Sequence, residues 1–231
     1  MSKVSALFSA VLFAGLLAGS VPAQAADPFI AGAEKVKLQW TKGKGLLHPG
    51  FTLGEYSGLS KVRGSSTKAL GVYSSAKSSA EINVTTASFG EVTIQCKGGQ
   101  SRTGLGWITF DRDKLAYVCT FQGAGAGPTA AFTLVQAKGG LMARLQTPQR
   151  AGELQFGSVT LRTETKQVGS MPVGLGGGAV GYVIRSGDQE IAAVDLTGMS
   201  KTAYLPPKGS PERDAAAVMA LILILFMDTP V

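Results

Sequence analysis

Residues 215–227 are thirteen consecutive apolar side chains, introduced by Ser210-Pro211-Glu212-Arg213 and closed by Asp228-Thr229-Pro230. As a helix they reach roughly 20 Å at about 1.5 Å per residue, short of a hydrocarbon core of roughly 30 Å. The stretch is therefore expected to be a buried helix over 211–227 and not a membrane span. Ser210 is placed to cap it, Pro211 suits its first turn, and Glu212 complements its positive end. A helix that is apolar all round has no side to turn to water, so the rest of the chain must wrap it nearly completely.

The segments available for wrapping have a period of two, the mark of half-buried strands. Residues 91–96 alternate Val92, Ile94 and Cys96 against Glu91, Thr93 and Gln95. Residues 115–121 set Leu115, Tyr117, Cys119 and Phe121 on one face. Similar runs cover 79–86, 105–110, 130–136, 141–146, 153–155, 158–163, 179–185 and 190–196. Turn chemistry separates them at Lys97-Gly98-Gly99, at 111–114, at 123–128, at Lys138-Gly139-Gly140, at Thr147-Pro148 and at Ser186-Gly187-Asp188. The expected fold is mainly β: an antiparallel barrel of roughly 10–12 strands around the hydrophobic C-terminal helix.

At the other end of the chain, Lys3 precedes an apolar run over 6–18, then Gly19-Ser20-Val21-Pro22 and Ala23-Gln24-Ala25. A basic start, an apolar core and an A-x-A site are the parts of a secretory signal peptide, here 1–25, in a bacterial style. The mature chain is expected to be periplasmic or secreted, with no transmembrane segment. It keeps twenty-one Lys and Arg against fifteen acids, a charge of +6. The excess is concentrated at the front: residues 27–77 carry eight basic residues and three acids, whereas 78–231 carry thirteen against twelve. The expected division is a basic Gly/Ser-rich segment over 26–65, partly flexible, and a barrel domain over 66–231. Lys35, Lys37, Lys42, Lys44, Lys61, Arg63, Lys68 and Lys77 could meet an anionic surface. A solvated, partly flexible segment explains them equally simply, and the richness in Gly and Ser favours that reading.

Cys96 and Cys119 are the only cysteines, and an oxidising compartment favours pairing them. If residues 105–110 form a strand between them, the two lie two strand spacings apart, roughly 9.6 Å, beyond the usual limit of about 7 Å between Cα atoms. Pairing then requires one strand end to curl, with two buried thiols as the alternative. His48 is the only histidine and cannot by itself build a metal cluster, nor does a Gly-x-Ser-x-Gly elbow accompany it. Asp111-Arg112-Asp113 reads as a turn, since too few oxygen donors surround it for calcium. Gly174-Leu175-Gly176-Gly177-Gly178 lacks the ending of a phosphate-binding loop and precedes a strand. The sequon at Asn83-Val84-Thr85 lies inside a strand pattern.

Tyr182-Val183-Ile184-Arg185-Ser186-Gly187-Asp188-Gln189-Glu190-Ile191-Ala192-Ala193-Val194 forms a hairpin pattern, followed by Tyr204-Leu205-Pro206-Pro207 and the helix. This order resembles the tubby-like architecture shared by tubby C-terminal domains, phospholipid scramblases and LURP-one-related proteins. Motifs carry the resemblance over the last fifty residues or so, strand count over the rest. The chain lacks the cysteine-rich segment and calcium motif of scramblases, and no residues align with tubby's phosphoinositide-binding basic positions. With no catalytic or cofactor motif in evidence, the expectation is an exported, non-catalytic envelope binding or structural protein that needs no cofactor and binds no nucleic acid. A second reading has the basic segment contact anionic lipid or an envelope polyanion. A third makes the chain an enzyme using His48.

Overall fold

The computed structural model describes residues 32–43, 48–69, 73–99, 116–136, 150–168 and 181–226. The expected signal peptide, Lys44, and the runs at 105–110 and 141–146 lie outside them, as do Asp111-Arg112-Asp113 and the glycines at 174–178.

Twelve strands form one closed antiparallel barrel: β1 (Glu34–Thr41), β2 (Gly50–Leu53), β3 (Tyr56–Ala69), β4 (Tyr73–Thr86), β5 (Gly90–Gly99), β6 (Ala116–Gln122), β7 (Ala131–Gln136), β8 (Arg150–Phe156), β9 (Val159–Thr165), β10 (Gly181–Ser186), β11 (Gln189–Asp195) and β12 (Thr202–Leu205). Each strand pairs with its neighbours in sequence, and β1 closes the ring against β12, with Val36 opposite Ala203. Closure removes the exposed edges that an open sheet of this size would present.

Helix α1 (Arg213–Leu225) fills the barrel. Of its residues only Asp214 and Ile224 are less than fully buried, as expected for a helix with no polar stripe. Its start differs from the expected one. The Arg213 N–H bonds the Ser210 carbonyl at 3.2 Å, closing a turn that takes up Pro211. Glu212 is the cap residue, its carbonyl accepting from the Ala216 N–H at 2.8 Å. The Ser210 hydroxyl caps nothing and has no partner. Met227, expected as the last helical residue, lies outside the described residues.

Inward positions follow the alternation: Val92, Ile94 and Cys96 on β5, and Tyr117 and Cys119 on β6, are all buried. Lys97-Gly98-Gly99, read as a turn, instead ends β5. The barrel also begins far earlier than residue 66, since β1, β2 and most of β3 come from the stretch taken as a flexible basic segment. Val36 and Leu38 face the core while Lys35 and Lys37 face out, so the lysines belong to the wet side of an ordinary strand. On β3 the pattern is weak because the inward face carries Gly58 and Ser60. A Cβ at Gly58 would sit 1.8 Å from the Asn83 carbonyl oxygen, so the close approach of β4 excludes any side chain there.

Candidate functional site

The two ends of the barrel differ in construction. At the lower end, where α1 begins, three hairpins turn in two residues: Gly54-Glu55, Gly157-Ser158 and Gly187-Asp188. Their glycines have φ of 62°, 59° and 58°, the left-handed backbone such turns demand at little steric cost to glycine. Tyr56, Phe89, Phe156 and Phe121 pack ring against ring above these turns, with centroids 5.4–6.2 Å apart.

Arg213 is buried at this end, beside the positive pole of the helix, where a cation is badly placed. Two carboxylates offset it. Its Nε and Nη2 donate to both oxygens of Glu55 at 2.5 and 3.0 Å, and Nη2 donates to Glu34 Oε2 at 2.7 Å. Nη1 donates to the Pro206 carbonyl. The bond from Arg213 holds the Glu55 carboxyl below its ordinary range. Beside it the Tyr56 hydroxyl donates to Asp214 Oδ1 at 2.7 Å, and burial first, then that bond, pushes its pKa well up. The cluster holds three sequence-distant elements together and matches a lock better than a binding site, because its donors are already matched to acceptors.

At the upper end, where α1 stops, Arg150 is buried with its guanidinium 5.1 Å from the Phe226 ring centroid, and Nη1 donates to the Tyr182 hydroxyl at 3.2 Å. A cation here complements the negative pole of the helix. The Tyr117 ring meets Phe226 edge-on at 4.7 Å, and burial pushes the Tyr117 hydroxyl pKa up. The buried hydroxyls of Ser60 and Ser78 have no partner. Strands are joined at this end by segments 42–49, 70–72, 100–115, 137–149, 166–180 and 196–201. Those segments carry nine Lys or Arg and two Asp. The lower connections, at 54–55, 87–89, 123–130, 157–158, 187–188 and 206–212, carry one Lys and three acids. In sequence, the connections of one end are thus basic and those of the other slightly acidic; among the described residues Lys42, Lys166 and Lys201 belong to the basic set.

Cys96 lies directly opposite Cys119, with Cα atoms 4.0 Å apart and sulfurs at bonding distance. The anticipated two-strand separation does not occur, because β5 pairs with β6 without a strand between them. His48 is half-buried in the β1–β2 connection, and none of the hydrogen bonds or ion pairs among the described residues involves it. Asn83 is inside β4, opposite Leu59.

The basic candidates form a belt and not a pocket. Leu38, Leu53 and Tyr56 are level across β1, β2 and β3. Lys61 therefore stands five residues above that level and Lys35 three below it, roughly 25 Å apart along the strands. Lys35, Lys37, Lys42 and Arg63 are exposed, and Lys61 is half-buried opposite Glu81. The Lys35 ammonium stands 5.4 Å from the Tyr204 ring centroid. Lys68 lies on the upper part of β3 and Lys77 on β4, with side chains outside the described set.

Two residues the sequence reading passed over are conspicuous. Trp40 and Met199 are the exposed large hydrophobics among the described residues, at 58% and 107% of full exposure. Trp40 has the parity of the buried Val36 and Leu38, so alternation alone assigns it to the core, yet it is exposed while Phe51 opposite it is buried.

Comparison with protein-family models, with curated proteins and with solved structures finds no match to this chain. The structure supports the coarser architectural statement, a closed barrel of twelve antiparallel strands with one C-terminal helix. No helix among the described residues is long and apolar enough to cross a membrane.

Proposed function

We propose that this chain is an exported, non-catalytic binding protein that docks on an anionic surface of the cell envelope through the upper end of the barrel and the adjoining basic wall of β1–β3. What supports the reading is the basic sequence of the segments that join the strands at the upper end, together with the exposed lysines of β1. With α1 occupying the interior, binding falls to the outside, and nine basic residues against two acids in the upper connections make a field that attracts polyanions and steers their approach. On β1, Lys35 and Lys37 add two further lysines to these. Export is supported by the signal-like N-terminus and by the paired cysteines, which persist where the medium is oxidising. The tubby-like resemblance fits the same reading at the level of architecture.

The test is co-sedimentation with phosphatidylglycerol vesicles and with phosphatidylcholine vesicles, alongside binding to immobilised dextran sulfate. Binding to both anionic materials should weaken steeply with salt. The double variant Lys37→Glu/Lys42→Glu should bind them at least about tenfold more weakly, at roughly 1 kcal/mol per basic residue near an anionic surface. Equal binding to neutral and anionic vesicles, or wild-type binding by the double variant, would overturn the proposal.

A further inference from the structure

The ladders around the closure of the barrel are short. β11–β12 runs over three residues, and β12–β1, β1–β2 and β2–β3 over four each, so four short ladders follow one another. Elsewhere among the described strands only β9–β10 is as short, and ladders of six flank it; β3–β4 runs over thirteen. One further bond extends β12–β1, from the Leu38 N–H to the Lys201 carbonyl at 2.9 Å, and one extends β2–β3, from the Ser60 N–H to the Pro49 carbonyl at 3.0 Å. β1 stands in the middle of this run. It sends Val36 and Leu38 into the core, whereas β5 sends Val92, Ile94 and the disulfide-bonded Cys96.

Arg213 takes its partners from the elements that border the same sector. Glu34 opens β1, Glu55 lies in the turn between β2 and β3, and the Pro206 carbonyl follows β12. The three contacts are not equivalent. Glu55 accepts from both Nε and Nη2, while Glu34 accepts from Nη2 alone and its side chain is 41% exposed. When β1 leaves, Glu34 therefore returns to water at little cost. Arg213 keeps Glu55 and the Pro206 carbonyl, so no buried charge is left unpaired.

We infer that β1 is a detachable strand: it lifts off β12 and β2 while the remaining strands and α1 stay folded, and the Glu34–Arg213 bond is the latch that sets how often it does so. Segments held by few backbone bonds and few buried side chains open well below the free energy of global unfolding. A strand that lifts off uncovers unpaired N–H and C=O groups on β2 and β12, which closure of the ring otherwise hides.

Native-state hydrogen exchange read by mass spectrometry tests this. In the wild-type protein, residues 35–38 and 202–205 should exchange at least about tenfold faster than 92–96 and 117–121, and their rates should hardly respond to low denaturant, because the opening exposes little surface. Glu34→Ala should speed exchange in 35–38 and 202–205 by roughly fivefold, in keeping with a half-exposed ion pair, and leave 92–96 and 117–121 within about twofold. Glu153→Ala, which removes the ion pair with Arg162 across β8–β9, should leave 35–38 and 202–205 unchanged. An equal rise in every strand of Glu34→Ala would show that the bond adds only to global stability and would overturn the inference. So would wild-type β1 amides that exchange as slowly as those of β5, or a Glu153→Ala protein that opens β1 as much as Glu34→Ala does.

Discussion

The lower end of the barrel is finished by hairpins of two residues, an aromatic belt and an arginine held by two carboxylates, whereas the upper end carries longer, basic connections and an exposed tryptophan. Both ends meet the same helix, and each places an arginine near one of its poles. Arg150 suits the negative pole and bonds the Tyr182 hydroxyl, while Arg213 sits at the wrong pole, where Glu34 and Glu55 offset it. The difference separates tasks. The lower end ties the start of the helix to β1 and to the β2–β3 turn, and the upper end packs Arg150 and Tyr117 against Phe226 where the helix stops.

The broadest test of that division concerns the pin that joins the two ends. Ile222 is fully buried in the C-terminal half of α1. Ile222→Asp should prevent cooperative folding altogether, because an unpaired buried charge costs several kcal/mol against a total stability of roughly 5 to 15. A folded, cooperatively melting Ile222→Asp protein would mean that the helix is not core.

Next in size is the link between β5 and β6. The residues joined are 23 apart in sequence, and closing such a loop contributes roughly 3 kcal/mol in the chain-entropy model. Cys96→Ala/Cys119→Ala should lower the unfolding free energy by about that amount in denaturant titration. Thiol labelling of the denatured, unreduced protein should find neither cysteine. Labelling of both would refute the bond.

The lower lock should be sensitive to acid. Because the folded pKa of Glu55 lies below its ordinary value of 4.5, the carboxylate stabilises the fold above that pH, and the contribution is lost as pH falls through the folded value. Melting temperature should therefore drop on acidification below about pH 4.5. Glu55→Gln should cost about 2 kcal/mol at neutral pH, less than for a fully buried pair because Glu55 is one-third exposed and Glu34 remains. The variant should also lose part of the acid dependence. A Glu55→Gln protein with wild-type stability at pH 7 would show that the cluster locks nothing.

The smallest effect is expected at the basic wall. Lys37→Glu/Lys42→Glu should move the unfolding free energy by less than roughly 0.5 kcal/mol per site, since both side chains are exposed and unconnected to the core. A larger loss would tie these lysines to the fold and weaken their assignment to binding.

Much of this architecture was legible. The apolar helix required a wrapper, and clean alternation at 91–96 and 115–121 identified β5 and β6 together with their inward faces. Strands β1, β2 and β3 were harder to see. On β3 the inward positions are Gly58, Ser60 and Val62, so the hydrophobic period is nearly silent even though the backbone pairs along its whole length. On β1 the outward lysines drew attention to charge and away from Val36 and Leu38 between them. Lys35 and Lys37 on β1 and Lys61 and Arg63 on β3 hold outward positions, but Trp40 was invisible because its parity matches the core.

What the sequence determined by itself were properties with a local period or a local cause: that α1 is buried, which faces of β5 and β6 turn inward, and where the Gly-Asp hairpin between β10 and β11 bends. Only the tertiary structure decided which strand adjoins which. Hence it decided that Cys96 lies opposite Cys119, and that Arg213 meets Glu55 and Glu34 at separations of 158 and 179 residues. The reason is geometric. Alternation says which side of a strand is wet, but closure of the ring sets register and the height of the rim, and every strand contributes to that.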